Sequence, residues 1–451
     1  MAINVKVMHL VGLWNHHWQN KRSWRYFAYF GYALFMVFIL TVHSVSVVLE
    51  LCFSWGDFTS FANTAWYASN FGASVIKQLF ILTQTERVQS VTMKLRGGIL
   101  SSGLRWSTEQ EEISRNTNRQ ARRLSIMYYT VAVTSVLCVI LLGLRTSYRQ
   151  LSGAVNSANA DADANKTMEL PLKAWYPVDT QQPGNYLLMF IFQLIVVTVG
   201  PMVNIGTDTF LMSLMIHACG EFRVLKKSLR SLKQRAVQLQ DEDTSIRSLY
   251  PPQRFSVVKY VSDLEDMFSS MMFIQFLSIS LRICLMIFLI TLTGDKGLAQ
   301  LTYFQLLFVS FLQGLPFCWY GSELTYQNES VARVVFETPW LEASLHFRRL
   351  LMIVVIRAQT TLHLTGGKIY IMSLETFQAT GEGRNSVKVT AELYNGLEGS
   401  CDAALVGLEA ICVWIALRTW TRIDGKRSVA LMLKEIIIGS TSKYPFVLDL
   451  C

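Results

Sequence analysis

Hydrophobic and polar positions along this chain come in long blocks, without the period of two that marks a half-buried strand. Six apolar runs, at about 26–49, 63–82, 126–144, 186–212, 268–292 and 301–319, approach the roughly 20 helical residues needed to cross a hydrocarbon core of about 30 Å. After the fourth run, Phe222, Leu225, Leu229, Leu232, Ala236 and Leu239 recur at steps of three and four. That spacing predicts a helix continuing beyond the membrane with an apolar seam. Pro251-Pro252 ends it, and Val258, Val261, Leu264, Phe268 and Met271 resume a helical stripe leading into the fifth run. Beyond the sixth run, Thr338-Pro339 suits the start of a further helix through Leu341, Phe347, Leu350, Leu351 and Val354, which Gly366-Gly367 interrupts.

Basic residues give these spans a direction. The second-to-third connection carries Arg87, Lys94, Arg96, Arg105, Arg115, Arg119, Arg122 and Arg123. The fourth-to-fifth carries Arg223, Lys226, Lys227, Arg230, Lys233, Arg235, Arg247, Arg254 and Lys259, whereas residues 50–62 hold no Lys or Arg. The positive-inside bias therefore predicts an all-α polytopic membrane protein with a cytoplasmic N-terminus. The expected layout is a flexible lead at 1–25, helices at 26–212 with an extracellular loop at 145–185, cytoplasmic helical extensions at 213–267, helices at 268–319, an inner helix and the start of a last span at 320–378, and a distinct tail at 379–451. The lead holds Trp14, Trp18 and Trp24, and the apolar run behind it is too long for a signal-peptide core.

Composition agrees. Of 451 residues 51% are hydrophobic and 16% charged, and the mean hydropathy is +0.30, too apolar a balance for a soluble chain of this size. The net charge of +9 sits in blocks between apolar spans, where topology and anionic lipid account for it better than nucleic acid does. The eight cysteines form no C-x-x-C pair, so neither a zinc site nor a disulfide framework is expected.

Catalytic patterns do not emerge: there is no Gly-rich phosphate loop, no His-Glu-x-x-His and no Gly-x-Ser-x-Gly. His16-His17 is the one adjacent histidine pair among seven histidines, so no enzyme and no metal site is expected. Arg282 stands in the middle of the fifth run and is expected to face the bundle interior or a hydrated path, in a structural ion pair or by snorkelling. Lys77, near the inner end of the second run, is expected to need only snorkelling. An apolar ligand cavity would draw on aromatic residues in the outer halves of the spans, namely Trp66, Tyr67, Phe71, Phe190, Phe192, Tyr303, Phe304 and Phe308. Trp175 and Tyr176, in the extracellular loop, suit a membrane interface. Two glycosylation sequons begin at Asn165 and Asn328; the topology puts Asn165 outside and Asn328 inside, so Asn165 is the one expected to carry glycan.

The order Cys318-Trp319, Gly321-Ser322-Glu323-Leu324, Trp340, Arg357-Ala358-Gln359 and Ser373-Leu374-Glu375-Thr376-Phe377 resembles the C-terminal signature of the insect odorant receptors. Trp175-Tyr176-Pro177 also resembles the family's loop. The resemblance implies an inverted seven-transmembrane fold whose cytoplasmic extensions form an anchor domain holding four subunits around one pore. It implies a tuning subunit that binds a volatile odorant in the outer half of the membrane, needs no cofactor and pairs with the odorant-receptor co-receptor. Together they would form a ligand-gated non-selective cation channel in the plasma membrane of olfactory sensory dendrites. A gustatory receptor is the alternative within the superfamily, but its Thr-Tyr and Gln-Phe pattern is not found.

The resemblance fades near residue 378. Where the last span should continue, Glu382, Arg384, Lys388 and Glu392 intervene, and the later apolar run at 403–417 contains Glu409. Such a segment does not cross a bilayer facing lipid. The expectation is six clear spans with a seventh damaged or displaced, from an alternative or misjoined final exon. A subunit with this ending would assemble without conducting.

Overall fold

The structure is a computed structural model, and it describes residues 2–15, 22–96, 108–157, 170–180, 182–231, 252–293 and 297–337, then 348–349, 352, 355–356, 362–368 and 370–376. Almost all of it is helical. The helices are α1 (Ala2–Leu10), α2 (Trp24–Phe53), α3 (Phe58–Thr83), α4 (Thr85–Arg96), α5 (Thr108–Ser157), α6 (Pro183–Arg230), α7 (Pro252–Thr293) and α8 (Gly297–Glu337). A two-residue antiparallel hairpin follows, β1 (Thr365–Gly366) with β2 (Tyr370–Ile371).

All six predicted apolar runs lie on helices, α2, α3 and α5 to α8 in turn. On α2, α5, α6 and α7 the helix is both long and apolar enough to cross a membrane. The second predicted span is α3, whose 26 residues rise about 39 Å at roughly 1.5 Å each. Its apolar character is diluted by Asn63, Thr64, Asn70, Ser74, Lys77 and Gln78, of which Thr64, Ser74, Lys77 and Gln78 are buried. Asp57 caps α3, accepting from Thr59 N at 3.1 Å, and Pro183 opens α6 in its first turn, where its missing N–H costs nothing.

Several helices outrun the spans assigned from hydropathy. The seam predicted beyond the fourth span is present: Phe222, Leu225 and Leu229 are buried on α6, while Leu232, Ala236 and Leu239 lie outside the described residues. An extension not predicted is the first part of α5, which begins at Thr108 and runs antiparallel to that seam. Lys227 meets Glu109 at 2.6 Å, Gln110 donates to Ser228 Oγ at 2.7 Å, and His217 Nε2 lies 2.9 Å from Asn118 Oδ1.

The N-terminal segment corrects the expectation of a flexible lead. Residues 2–10 form α1, with Asn4, Val5 and Met8 buried, and Asn4 Nδ2 donates to Thr209 O at 2.9 Å. Gly12, at φ +83°, lets the chain turn close to α2, where a Cβ would stand 3.0 Å from Ala33 Cα, and Trp14 packs edge-on against Phe210 at 5.8 Å. Tyr29 then clasps the turn by donating to His9 O at 2.8 Å. The polar look of this segment hid a helix whose apolar side is covered by α6. His16 and His17 lie outside the described residues.

The chain forms two compact units, residues 1–274 with 320–371, and residues 275–319 with 372–451. In the first, the Gly366-Gly367 break appears as the β1–β2 hairpin. Gly367 sits at φ +62° against the Phe273 ring, its N–H donating to Ser269 O at 2.9 Å. In the second, Ser373 Oγ accepts from Thr376 N at 3.1 Å, an N-terminal cap for the turn at 374–376. The helix predicted from Thr338 is described only at Arg348, Arg349, Met352, Val355 and Ile356, which are helical.

Candidate functional site

An aromatic cage lies where α2, α3 and α6 meet the loop at 170–180. His43 on α2 is fully buried. Its ring stands edge-to-face with Phe71 of α3 at 4.5 Å and with Phe192 of α6 at 6.2 Å. Tyr176, from the loop, packs on Phe192 at 6.1 Å and places its hydroxyl 3.2 Å from His43 Nδ1. Gly200 makes room for this packing, because a Cβ there would stand 2.7 Å from Phe71 Cε1.

The loop is fastened by Gln193. Its Oε1 accepts from Leu172 N at 3.0 Å, and its Nε2 donates to Leu172 O at 2.8 Å and to Tyr176 Oη at 3.3 Å. Burial pushes the Tyr176 hydroxyl up to about 12, against the opposing effect of the Gln193 bond, so it keeps its proton. Trp175 N donates to Ser46 O at 3.1 Å, and its ring reaches Phe53 at 6.2 Å. Trp175 is thus partly exposed beside α2, whereas Tyr176 turns inward. An inward tyrosine is tolerated because its hydroxyl finds polar partners.

The predicted pocket residues divide. Phe71 and Phe192 join the cage. Phe190, two positions from Phe192 and so on another face of α6, stacks on Tyr186 at 6.3 Å, whose hydroxyl lies 2.7 Å from Ser147 Oγ of α5. Trp66 is buried on α3 and meets Tyr67 edge-on at 5.1 Å. Tyr303, Phe304 and Phe308 are half-buried on α8 within the second compact unit. The sequence reading missed His43, hidden in an apolar run, and Gln193.

Below the cage lies a second polar centre between α3 and α6. Lys77 Nζ is 2.6 Å from Asp208 Oδ1 and also donates to Asn204 Oδ1, while Asn204 Nδ2 donates to Asn70 Oδ1 at 2.6 Å. Both members of the ion pair are buried, which overturns snorkelling for Lys77; the aspartate across the helix interface makes burial tolerable. A signal was present, since Asn204 and Asp208, like Asn70 and Lys77, share a helix face. In the second unit Arg282 is likewise buried. It donates to Gln313 Oε1 at 2.9 Å and to Ser278 O at 3.2 Å, so it faces inward as expected and does not snorkel.

The residues of the C-terminal signature have structural work. Glu323 binds Arg223 at 2.7 Å and accepts from Gln327 Nε2 at 2.7 Å, beginning a parallel ladder between α6 and α8. Lys226 follows, donating to Gln327 Oε1 at 2.5 Å and Ser330 Oγ at 2.8 Å, then Arg230 with Glu337 at 2.8 Å. Cys318 and Leu324 are buried, Trp319 is half-buried and Gly321 is buried on the same helix, and Leu374 and Glu375 fall in the turn that Ser373 caps. Trp340, Arg357, Gln359, Phe377 and Asn165 lie outside the described residues.

A cleft of about 260 Å³ opens between the turn after α1, the start of α2 and the α3–α4 junction, lined in part by Leu13, Tyr26, Tyr29, Phe30 and Arg87. It is separate from the aromatic cage. Among the described residues no group of three His, Cys, Asp or Glu side chains could hold a metal ion.

Comparison with known proteins agrees with this architecture. Odorant receptor 10 of Aedes albopictus is 21% identical over 367 residues, covering 80% of this chain and 92% of that protein. Odorant receptor Or2 of Anopheles gambiae is 20% identical with the same coverage. The olfactory receptor OR5 of Machilis hrabei shares the fold with a TM-score of 0.71 at 15% identity, over 87% of this chain and 97% of that one, and it has also been solved in complex with eugenol. These matches favour the odorant reading over the gustatory alternative. The family model described as 7tm Odorant receptor matches residues 57–383, and this chain therefore belongs to the insect odorant receptor family, as a membrane receptor and not an enzyme.

Proposed function

We propose that this receptor is the odorant-binding subunit of an odorant-gated, non-selective cation channel, assembled as a heteromer, in all four subunits, with the odorant-receptor co-receptor. A volatile odorant would bind among the aromatic residues of the outer half and favour the open state through its higher affinity for it. The observation that carries this reading is the aromatic cage around His43, roofed by a loop that Gln193 fastens, in a chain of the odorant receptor family. Apolar surroundings with few, well-placed polar atoms suit a small neutral ligand, and the Machilis relative was solved with one, eugenol.

The same reading has the N-terminus and the α6–α8 ladder in the cytoplasm, where Arg223, Lys226 and Arg230 satisfy the positive-inside bias. It has the protein in the plasma membrane of olfactory dendrites, surrounded by lipid. Coexpression with the co-receptor in cells lacking both, with currents recorded across a panel of volatiles, tests the proposal. Odorant-evoked cation current that requires both subunits is the expected result, and current from the co-receptor alone that this chain leaves unchanged would overturn it.

The family match ends at residue 383, next to the charged run from Glu382 to Glu392, and this favours a second reading, a subunit that assembles without conducting. Co-purification with the co-receptor in the absence of evoked current is its expected outcome. Sequencing the transcript decides whether the segment after 378 comes from an alternative or misjoined exon.

A further inference from the structure

We propose that the odorant site presents a buried N–H donor, His43 Nε2, so that this receptor takes oxygenated volatiles with a hydrogen-bond acceptor, ketones, aldehydes and esters, in preference to hydrocarbons of the same shape. This rests on the odorant-binding reading above and adds the ligand class.

The argument follows one chain of protons. Gln193 has its orientation fixed by Leu172: its Oε1 takes the Leu172 N–H, so the group facing Tyr176 is its NH₂. Tyr176 Oη is therefore an acceptor toward Gln193, and its own hydrogen is free to point elsewhere. The acceptor within reach is His43 Nδ1, at 3.2 Å. A neutral imidazole that accepts at Nδ1 carries its hydrogen on Nε2. A charged imidazole carries one there as well, so Nε2 is a donor in either form. His43 is fully buried and Nε2 has no hydrogen-bond partner among the described residues.

Buried donors normally find acceptors, and those that do not are costly, so a donor left open beside aromatic walls is suited to an acceptor that arrives with the ligand. A site built this way discriminates strongly against an analogue that lacks the acceptor, because binding that analogue leaves the donor unpaired.

The test uses the full-length receptor, purified into lipid nanodiscs, and matched pairs of volatiles: acetophenone against isopropylbenzene and 2-heptanone against 2-methylheptane. Affinity is read from ligand-dependent thermal stabilisation. Each ketone is expected to bind at least about tenfold more tightly than its hydrocarbon partner, the size of one unpaired buried donor. His43→Phe should narrow that ratio. Tyr176→Phe removes the hydroxyl that holds the hydrogen on Nε2, so 2-heptanol, which donates, should gain on 2-heptanone. That shift would not follow from a purely structural role, and it decides the matter if the His43 variant fails to fold.

Equal affinities for ketone and hydrocarbon would overturn the inference and leave the odorant reading standing, with Nε2–H spent on the face of the Phe71 ring. A panel in which no volatile binds would take both down.

Discussion

Lys77 Nζ lies 2.6 Å from Asp208 Oδ1 with 1% of either side chain exposed, joining α3 to α6 below the aromatic cage. Removing one member of a buried pair strands the other charge, at a cost of about 3–5 kcal/mol, whereas replacing both with apolar groups of similar volume is close to neutral. Lys77→Met and Asp208→Asn should each lower the unfolding temperature of the purified receptor sharply, and the double variant Lys77→Met/Asp208→Leu should recover most of the loss. A double variant as unstable as the sum of the two singles would show that the two side chains act independently.

The Arg223–Glu323 bridge between α6 and α8 is different, since 28% and 22% of the side chains remain exposed. A partly solvated pair contributes about 1 kcal/mol or less, and the reversed pair Arg223→Glu/Glu323→Arg should restore what either single change loses. Glu323 also acts on Lys226, whose pKa is lowered by burial first and by Arg223 next, while Glu323 raises it. With the folded value below the ordinary 10.5, the unfolded chain binds more protons between the two. Stability then rises as pH climbs through the folded value toward 10.5. Glu323→Gln removes the raising influence and widens that window. The stability difference from the wild type should therefore grow as pH falls from 10.5, which thermal unfolding across alkaline pH would measure.

Hydropathy made the spans legible because crossing a bilayer requires about 20 apolar residues in a row, a signal that survives averaging. The same averaging hid Asp208, one carboxylate in a long apolar run whose partner is 131 residues away. The α6 seam was readable from Phe222, Leu225 and Leu229 because their spacing is local. The first turns of α5 were not, since Glu109, Glu111 and Glu112 followed by Arg115, Arg119, Arg122 and Arg123 look like a solvated connection until α6 covers Thr117 and Ala121. In the cage, Phe71 and Phe192 were found by residue type. His43 and Tyr176 were not, because their roles arise from a loop folding back onto α2, a relation with no sequence period.

Gly220 marks a close approach of α5 and α6. A Cβ there would stand 2.7 Å from both Thr117 Oγ1 and Cγ2, inside any allowed contact. Gly220→Ala should destabilise by about 1–3 kcal/mol through overpacking, although alanine is the better helix former by roughly 1 kcal/mol. Thr117→Ala in the same chain opens the space, so the double variant should be more stable than Gly220→Ala alone. That non-additive recovery in a double-mutant cycle on thermal unfolding is the expected signature of two residues in direct contact. Simple addition of the two effects would place the strain elsewhere.

The two glycosylation sequons test topology and packing together. Asn328 sits within α8 and is 1% exposed, so an oligosaccharide could not be carried there without unwinding the helix beside the Lys226–Gln327–Ser330 contacts. The proposed inside placement of the α6–α8 ladder excludes it independently, because glycan is added on the opposite side of the membrane. Asn165, in the loop proposed to be extracellular, is the site expected to be used. On expression in insect cells, enzymatic deglycosylation should shift the wild type and Asn328→Gln by one glycan and leave Asn165→Gln unmoved. A glycan lost on Asn328→Gln would contradict both the orientation and the packing of α8. A wild type without any shift would leave the orientation to tags on the two sides of α2, where an N-terminus reached from outside intact cells would reverse it.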